Sequence, residues 1–320
     1  MRKSFLFIIL IITAAFVIYC GKPKKDLQTK TSLADLPASV LVEKVIPEAS
    51  PNSTFKEPFG LATDFSGNIY ISDAGNDRIV KLNNKFDYIT EIGGFGSGEG
   101  TFNYPTYLSF DNGLNLYVSD ERNSRIAKYD NRLNYADEVL FYDDEDPLKF
   151  GYPSGVAATN YGELWVADRQ NNQVMVFNNV GQFSNVLGDY GSSAGRLKSP
   201  EKIVQSGTGF ILCDAGNQRI VYFDGYGNFN HEVKCKAVDY PIAVIDKRDY
   251  LIVLDGLEGG IHFVDQKGNS LRTVGPQLPG EKKSMLEPSD FISLDDDRIL
   301  IADTGNNRLL VCRLLFNKGE

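Results

Sequence analysis

The chain has 320 residues, 42% of them hydrophobic and 23% charged, the composition of a folded globular protein and not of a disordered one. Its 33 basic and 42 acidic residues give a net charge of −9, which argues against nonspecific binding to phosphate backbones. With only two histidines, His231 and His262, any mechanism that needs three histidine ligands on one metal is excluded.

Met1-Arg2-Lys3 is a short basic segment, and Ser4 to Tyr19 carries no charge. A membrane-spanning helix needs about 20 apolar residues, so this run is short for one and suits the apolar core of a signal peptide. It ends Val17-Ile18-Tyr19-Cys20-Gly21. A cysteine at this point resembles the lipobox of bacterial lipoproteins, although Tyr19 stands where that box usually has a small residue. The resemblance implies cleavage before Cys20 and acylation of its thiol and new amino group. Residues 1–19 are then a signal peptide, residues 20–38 a polar tether, and residues 39–320 an exported domain held at a bacterial cell envelope by a lipid anchor. An uncleaved anchor and ordinary secretion are the alternatives, and both also export the domain. The remaining thiols, Cys213, Cys235 and Cys312, sit in strand-like apolar segments and read as small buried hydrophobes.

From residue 39 onward one unit recurs six times. Its leading prolines are Pro58, Pro105, Pro153, Pro200, Pro241 and Pro288. Each precedes an apolar segment, a Gly/Asn/Asp turn, and a strand rich in β-branched and aromatic residues that ends in Asp: Asp73, Asp120, Asp168, Asp214, Asp255 and Asp303. Three residues further on stands Asn76, Asn123, Asn171, Asn217, Glu258 or Asn306, and five further on Arg78, Arg125, Gln173, Arg219, Gly260 or Arg308. The asparagine suits a left-handed turn, and the Asp and Arg suit a charged pair closing the loop.

These residues resemble the NHL repeat, most fully at Pro58-Phe59-Gly60-Leu61-Ala62-Thr63-Asp64, Gly67 to Asp73, and Asn76 to Val80. The resemblance covers about residues 39–316. It implies an all-β, six-bladed β-propeller with four-stranded blades. The last unit is long enough for only three strands, so the strand-like segment Ala38 to Ile46 is expected to supply the fourth and close the ring.

A residue needed in every blade is architectural, so departures from the repeat are the candidate functional positions. Two residues after the proline, where the repeat usually has Gly, stand Tyr107, Lys202 and Asp290 on blades two, four and six; they are expected near the channel mouth. Blade five carries Glu258 and Gly260 in place of Asn and Arg. Arg122, Arg169, Arg196, Phe95, Phe102, Tyr104, Tyr142, Tyr152 and Tyr190 are exposed candidates on the connectors, because arginines and aromatics are frequent binding anchors. The acidic runs at Asp143 to Asp146 and Asp295 to Asp297 lack calcium-loop spacing and read as solvated loops.

No zinc-protease helix motif or phosphate-binding loop is present. The leading expectation is therefore a non-catalytic binding or scaffold module, without cofactor. It would recognise an envelope or extracellular protein, peptide or glycan through the connector face, and no nucleic acid. The alternative comes from resemblance to propeller enzymes: a metal-dependent hydrolase or lyase, lactonase-like, with a divalent metal such as calcium held in the central channel by separated Glu, Asn and Asp residues.

Overall fold

The computed structural model describes residues 36–111, 114–141, 150–188, 191, 195–247, 249–278 and 285–316. The expected signal peptide, Cys20, most of the tether, Tyr142, Asp143 to Asp146 and Tyr190 lie outside these residues. The described chain is a six-bladed propeller. From the axis outward, blade 1 is Pro58–Thr63, Ile69–Asp73, Arg78–Leu82 and Tyr88–Gly93. Blade 2 is Pro105–Asp111, Asn115–Asp120, Arg125–Asp130 and Tyr135–Phe141. Blade 3 is Pro153–Ala158, Leu164–Asp168, Gln173–Phe177 and Phe183–Leu187. Blade 4 is Pro200–Ser206, Gly209–Asp214, Arg219–Phe223 and Phe229–Lys234. Blade 5 is Pro241–Asp246, Tyr250–Asp255, Ile261–Asp265 and Ser270–Val274.

Blade 6 takes Asp290–Ser293, Arg298–Asp303 and Arg308–Phe316 from the end of the chain and Pro37–Ile46 from its beginning. Pro37–Ile46 runs antiparallel to Arg308–Phe316, from Pro37 opposite Phe316 to Ile46 opposite Leu309. The closing strand begins two residues before the expected boundary at residue 39, and Leu36 ahead of it is fully buried. A short segment, Pro276–Gln277, adds a fifth, parallel strand outside it. The sequence pattern gave no sign of this strand, since two residues carry no periodicity.

Why the second and third strands are apolar on both faces follows from packing. Each blade lies between two others, so neither face meets water. Six buried apolar clusters result, one at each junction between blades. Trp165 of blade 3, for example, stacks on Phe210 of blade 4 with ring centroids 3.8 Å apart. The three cysteines Cys213, Cys235 and Cys312 are free and buried within these layers.

The repeated Asp anchors each loop. Asp73 accepts hydrogen bonds from Arg78 Nε at 2.7 Å, Asn76 Nδ2 at 2.9 Å and the Lys56 backbone N–H at 2.7 Å. The same three bonds form at Asp120, Asp214 and Asp303. The left-handed residue is not the asparagine but its successor: Asp77, Ser124, Asn172, Gln218 and Asn307 all have φ between 49° and 56°. The asparagine side chain is committed to the Asp, which leaves the turn geometry to the next position. That next residue also joins blades. Asp77, Asn172 and Asn307 accept the backbone N–H of Tyr104, Ser199 and Glu57, each just before the proline of the following blade.

Strand alternation gives the ring two distinct ends. The connectors between blades and the loops after each Asp lie at the end where the inner strands begin, the connector face. The tight turns joining inner to second and third to outer strands lie at the other end, the turn face.

Candidate functional site

The inner strands line the axis, and the residues two past each leading proline alternate in size around the ring: Gly60, Tyr107, Gly155, Lys202, Ala243 and Asp290. A β-carbon on Gly60 would stand 2.3 Å from the Thr106 carbonyl oxygen, and one on Gly155 2.3 Å from that of Glu201. The glycines of blades 1 and 3 therefore let the backbones of blades 2 and 4 approach closely. Each of those neighbouring blades carries a large side chain into the axis.

The three large side chains meet inside the channel and not at an open mouth. Lys202 Nζ donates to Asp290 Oδ1 past blade 5, whose residue at this position is the small Ala243. It also donates to the Phe291 carbonyl at 3.3 Å. Asp290 in turn accepts the N–H of Phe291 at 2.7 Å and that of Leu61 in blade 1 at 3.0 Å. Tyr107 crosses the ring to donate to the Ile242 carbonyl of blade 5 at 3.3 Å and packs edge-on against Phe59. All three are buried. The three lie at one level of the ring, and their polar ends are satisfied by one another and by backbone. They form a plug.

Above the plug, toward the connector face, lies a second charged group. Arg169 donates to Glu121 at 2.5 Å and to Glu201 Oε1 at 3.3 Å, and the Tyr240 hydroxyl donates to the same Glu201 oxygen at 2.8 Å. Glu201 Oε2 is buried with no hydrogen-bond partner. Burial raises the Glu201 carboxyl above its ordinary range despite Arg169, and burial with the nearby Glu201 and Asp290 carboxylates pushes the Tyr107 phenol well up. Glu201 and Tyr240 were missed from the sequence. The signal was available at one of them: of the residues directly after the six prolines (Phe59, Thr106, Ser154, Glu201, Ile242, Ser289), only Glu201 is charged.

Below the plug the channel widens into a cavity of about 660 Å³ that opens on the turn face, lined by Lys202, Gln205, Ser206, Val244, Asp246 and Ser293 among others.

Arg122 and Glu258 stand exposed on the connector face, on different blades. The Arg122 guanidinium lies 4.0 Å over the Tyr104 ring, and with Phe95, Asn103, Lys56 and Glu57 it borders a groove of about 270 Å³ between blades 1 and 2. Phe95 is 78% exposed and Tyr152 47%. Phe102, expected on the surface, is instead fully buried against Tyr129, because the connector folds back so that its N–H reaches the Gly94 carbonyl. Asp295 to Asp297 form a turn ion-paired with Arg298 and Arg313.

In blade 5, Gly260 replaces the arginine partner of Asp255. His262 fills the space, with Nε2 3.9 Å from that carboxylate, and burial lowers its pKa. His231 stacks on Tyr222 in the outer part of blade 4. Neither histidine is on an inner strand, and among the described residues no three His, Cys, Asp or Glu side chains are grouped to hold a metal. The channel carboxylates do not fit the calcium set that the enzyme alternative would need. Lys202 occupies Asp290, and Arg169 occupies Glu121 and Glu201.

Fold and site together define a six-bladed propeller whose axis is closed by a buried plug of Tyr107, Lys202 and Asp290. The NHL repeat model matches residues 150–177, the inner three strands of blade 3. Among solved structures, streptogramin B lyase aligns at 13% identity over 88% of each chain with a TM-score of 0.58. A nidogen/laminin complex aligns at 17% identity over 68% of this chain and 80% of that one, with a TM-score of 0.57. A protein of unknown function from Bacteroides thetaiotaomicron aligns at 14% identity over 86% of this chain and 75% of that one, with a TM-score of 0.62. These likenesses are of fold. Among curated proteins none matches the chain by sequence.

Two outcomes follow from the plug. Lys202→Met leaves Asp290 buried without its cation and is expected to cost about 3–5 kcal/mol in denaturant unfolding. Adding Asp290→Asn, which still accepts the Leu61 N–H, should recover most of that loss; an unshifted midpoint in the single variant would contradict the plug. The raised Glu201 carboxyl means that folding favours its protonated form. Its contribution is fully present below the ordinary glutamate range and is lost as pH rises through the raised value. Glu201→Gln should therefore gain stability relative to the parent as pH rises above the ordinary glutamate range in paired urea titrations, and a relative loss would refute it.

Proposed function

We propose that this chain is an envelope-anchored, non-catalytic binding module that holds a protein or peptide partner on its connector face. The observation that carries the reading is the contrast between axis and face. The axis is blocked by the Lys202–Asp290 pair and Tyr107, whereas the connector face presents Phe95 and the Arg122–Tyr104 stack around an open groove, with Tyr152 also exposed. Exposed aromatics beside an arginine, on loops fixed by a rigid scaffold, are the usual composition of a binding anchor. Anchoring through acylated Cys20 is part of the proposal and rests on the amino-terminal sequence. The lyase among the fold relatives does not extend its activity to this chain, since the shared feature is the scaffold. A role in holding another protein is in keeping with the nidogen/laminin complex among those relatives.

The test places a photo-crosslinking residue at Phe95, captures the partner from envelope extract, and then measures binding of the purified pair. Phe95→Ser with Arg122→Ala is expected to weaken binding about tenfold or more, each anchor contributing over ~1 kcal/mol. Equal binding by the variant would remove the connector groove from the account.

A further inference from the structure

The direction of the closing strand fixes the face at which the described chain begins. Arg308–Phe316 starts at the connector face and ends at the turn face. Pro37 pairs with Phe316, so the described chain begins at the turn face. This same face carries the three most exposed large apolar side chains of the described residues, Phe65 at 81%, Tyr161 at 84% and Tyr226 at 88%, and also the exposed Val180 and Leu114; Phe95 and Leu257 are exposed on the connector face. They belong to consecutive blades, Phe65, Leu114 and Tyr161 at the inner turns of blades 1 to 3, Val180 and Tyr226 at the outer turns of blades 3 and 4.

These tips are held out by their own turns. Asp224 Oδ1 accepts the N–H groups of Tyr226 and Asn228, both at 2.9 Å, and Asn178 Oδ1 accepts those of Val180 and Gln182 at 3.1 and 2.9 Å. At the tip position of the other outer turns stand Lys85, Arg132 and Lys267, all exposed. The turn carboxylates Asp130, Asp224 and Asp265 sit two residues back, engaged by backbone N–H groups.

We propose that the turn face docks on the surface of the lipid bilayer that carries the anchor, with the aromatic and aliphatic tips entering the headgroup layer and the connector face pointing away. The inference rests on the anchored reading above and deepens it. Aromatic rings with polar tips favour the bilayer interface, and neighbouring lysines and arginines reach lipid phosphates. Fully extended, residues 21–35 reach at most about 50 Å, so an anchor at Cys20 keeps the propeller within about one domain diameter of the membrane. Because the described chain begins at the turn face, that face is the one proposed to meet the lipid. The tethering supplies a high local concentration, so a few tips suffice where free binding from solution would be weak.

The experiment uses residues 31–320, which form one compact unit containing every strand of the ring. An amino-terminal histidine tag holds this fragment on phosphatidylcholine vesicles containing a nickel-chelating lipid, so the test does not depend on acylation of Cys20. A fluorophore is placed in turn at Tyr161→Cys on the turn face and at Phe95→Cys on the connector face; the three native cysteines are buried. With lipid carrying a quencher at the headgroup boundary, the label at Tyr161→Cys is expected to lose about half of its emission and that at Phe95→Cys almost none. A third label at Leu114→Cys should be quenched in the parent and spared when Phe65→Ser, Tyr161→Ser and Tyr226→Ser are combined. Quenching at Phe95→Cys, or at neither face, overturns the proposal, the latter leaving the tips to a protein partner. Failure of the anchored reading is distinct. It shows as acyl labelling of the full chain that persists with Cys20→Ala.

Discussion

The buried carboxylate at the end of each second strand organises this molecule. It accepts the N–H of the incoming connector and the side chains that close the next loop, so one charged group ties three segments together at the same depth in every blade. A carboxylate taken out of water at this cost persists because each of its lone pairs finds a donor. The connector is thereby fixed, the proline that follows it starts the inner strand at a set height, and the residue two past that proline arrives at a set level on the axis. Blades 3 and 5, which lack the arginine, keep the anchor by other means. Gln173 and Gly151 serve Asp168, and the backbone of Leu257 and Glu258 serves Asp255.

Because six inner strands deliver a side chain to one level, that level has limited volume. The ring solves this by alternating small and large residues, with Gly60, Gly155 and Ala243 between Tyr107, Lys202 and Asp290. Interdigitation of that kind is the rule in packed interiors. The result is an axis plugged by Tyr107, Lys202 and Asp290, whose polar ends are met by one another and by backbone, between two faces open to solvent. Of these, the connector face combines a groove with aromatic and arginine side chains, whereas the turn face carries the wider channel cavity and exposed apolar tips.

Much of this was legible in the sequence. Pro, Asp, Asn and Arg recur at fixed offsets because each answers a backbone requirement of the blade, and Ala38 to Ile46 announced itself as a strand without a partner. The alternation of Tyr107, Lys202 and Asp290 was visible too. Its consequence was not, because burial depends on how far six strands converge, which no single repeat encodes. Glu201 and Tyr240 were hidden for a related reason: they lie on different blades and become neighbours only when the ring closes. Phe102 looked exposed because it lies in a glycine-rich connector, yet the connector folds back and buries it. Pro276–Gln277 joins the closing strand by a pairing that leaves no periodic trace.

The central claim is that the axis is a structural plug and the protein a binding scaffold. The most direct test is elemental analysis of residues 31–320 purified without chelator, paired with thermal melts across a series of divalent metals. The account predicts no stoichiometric metal and no rise in melting temperature with any of them. One bound equivalent that raises the melting temperature, and that disappears in Glu201→Gln or Asp290→Asn, would contradict it and make the channel the reactive site.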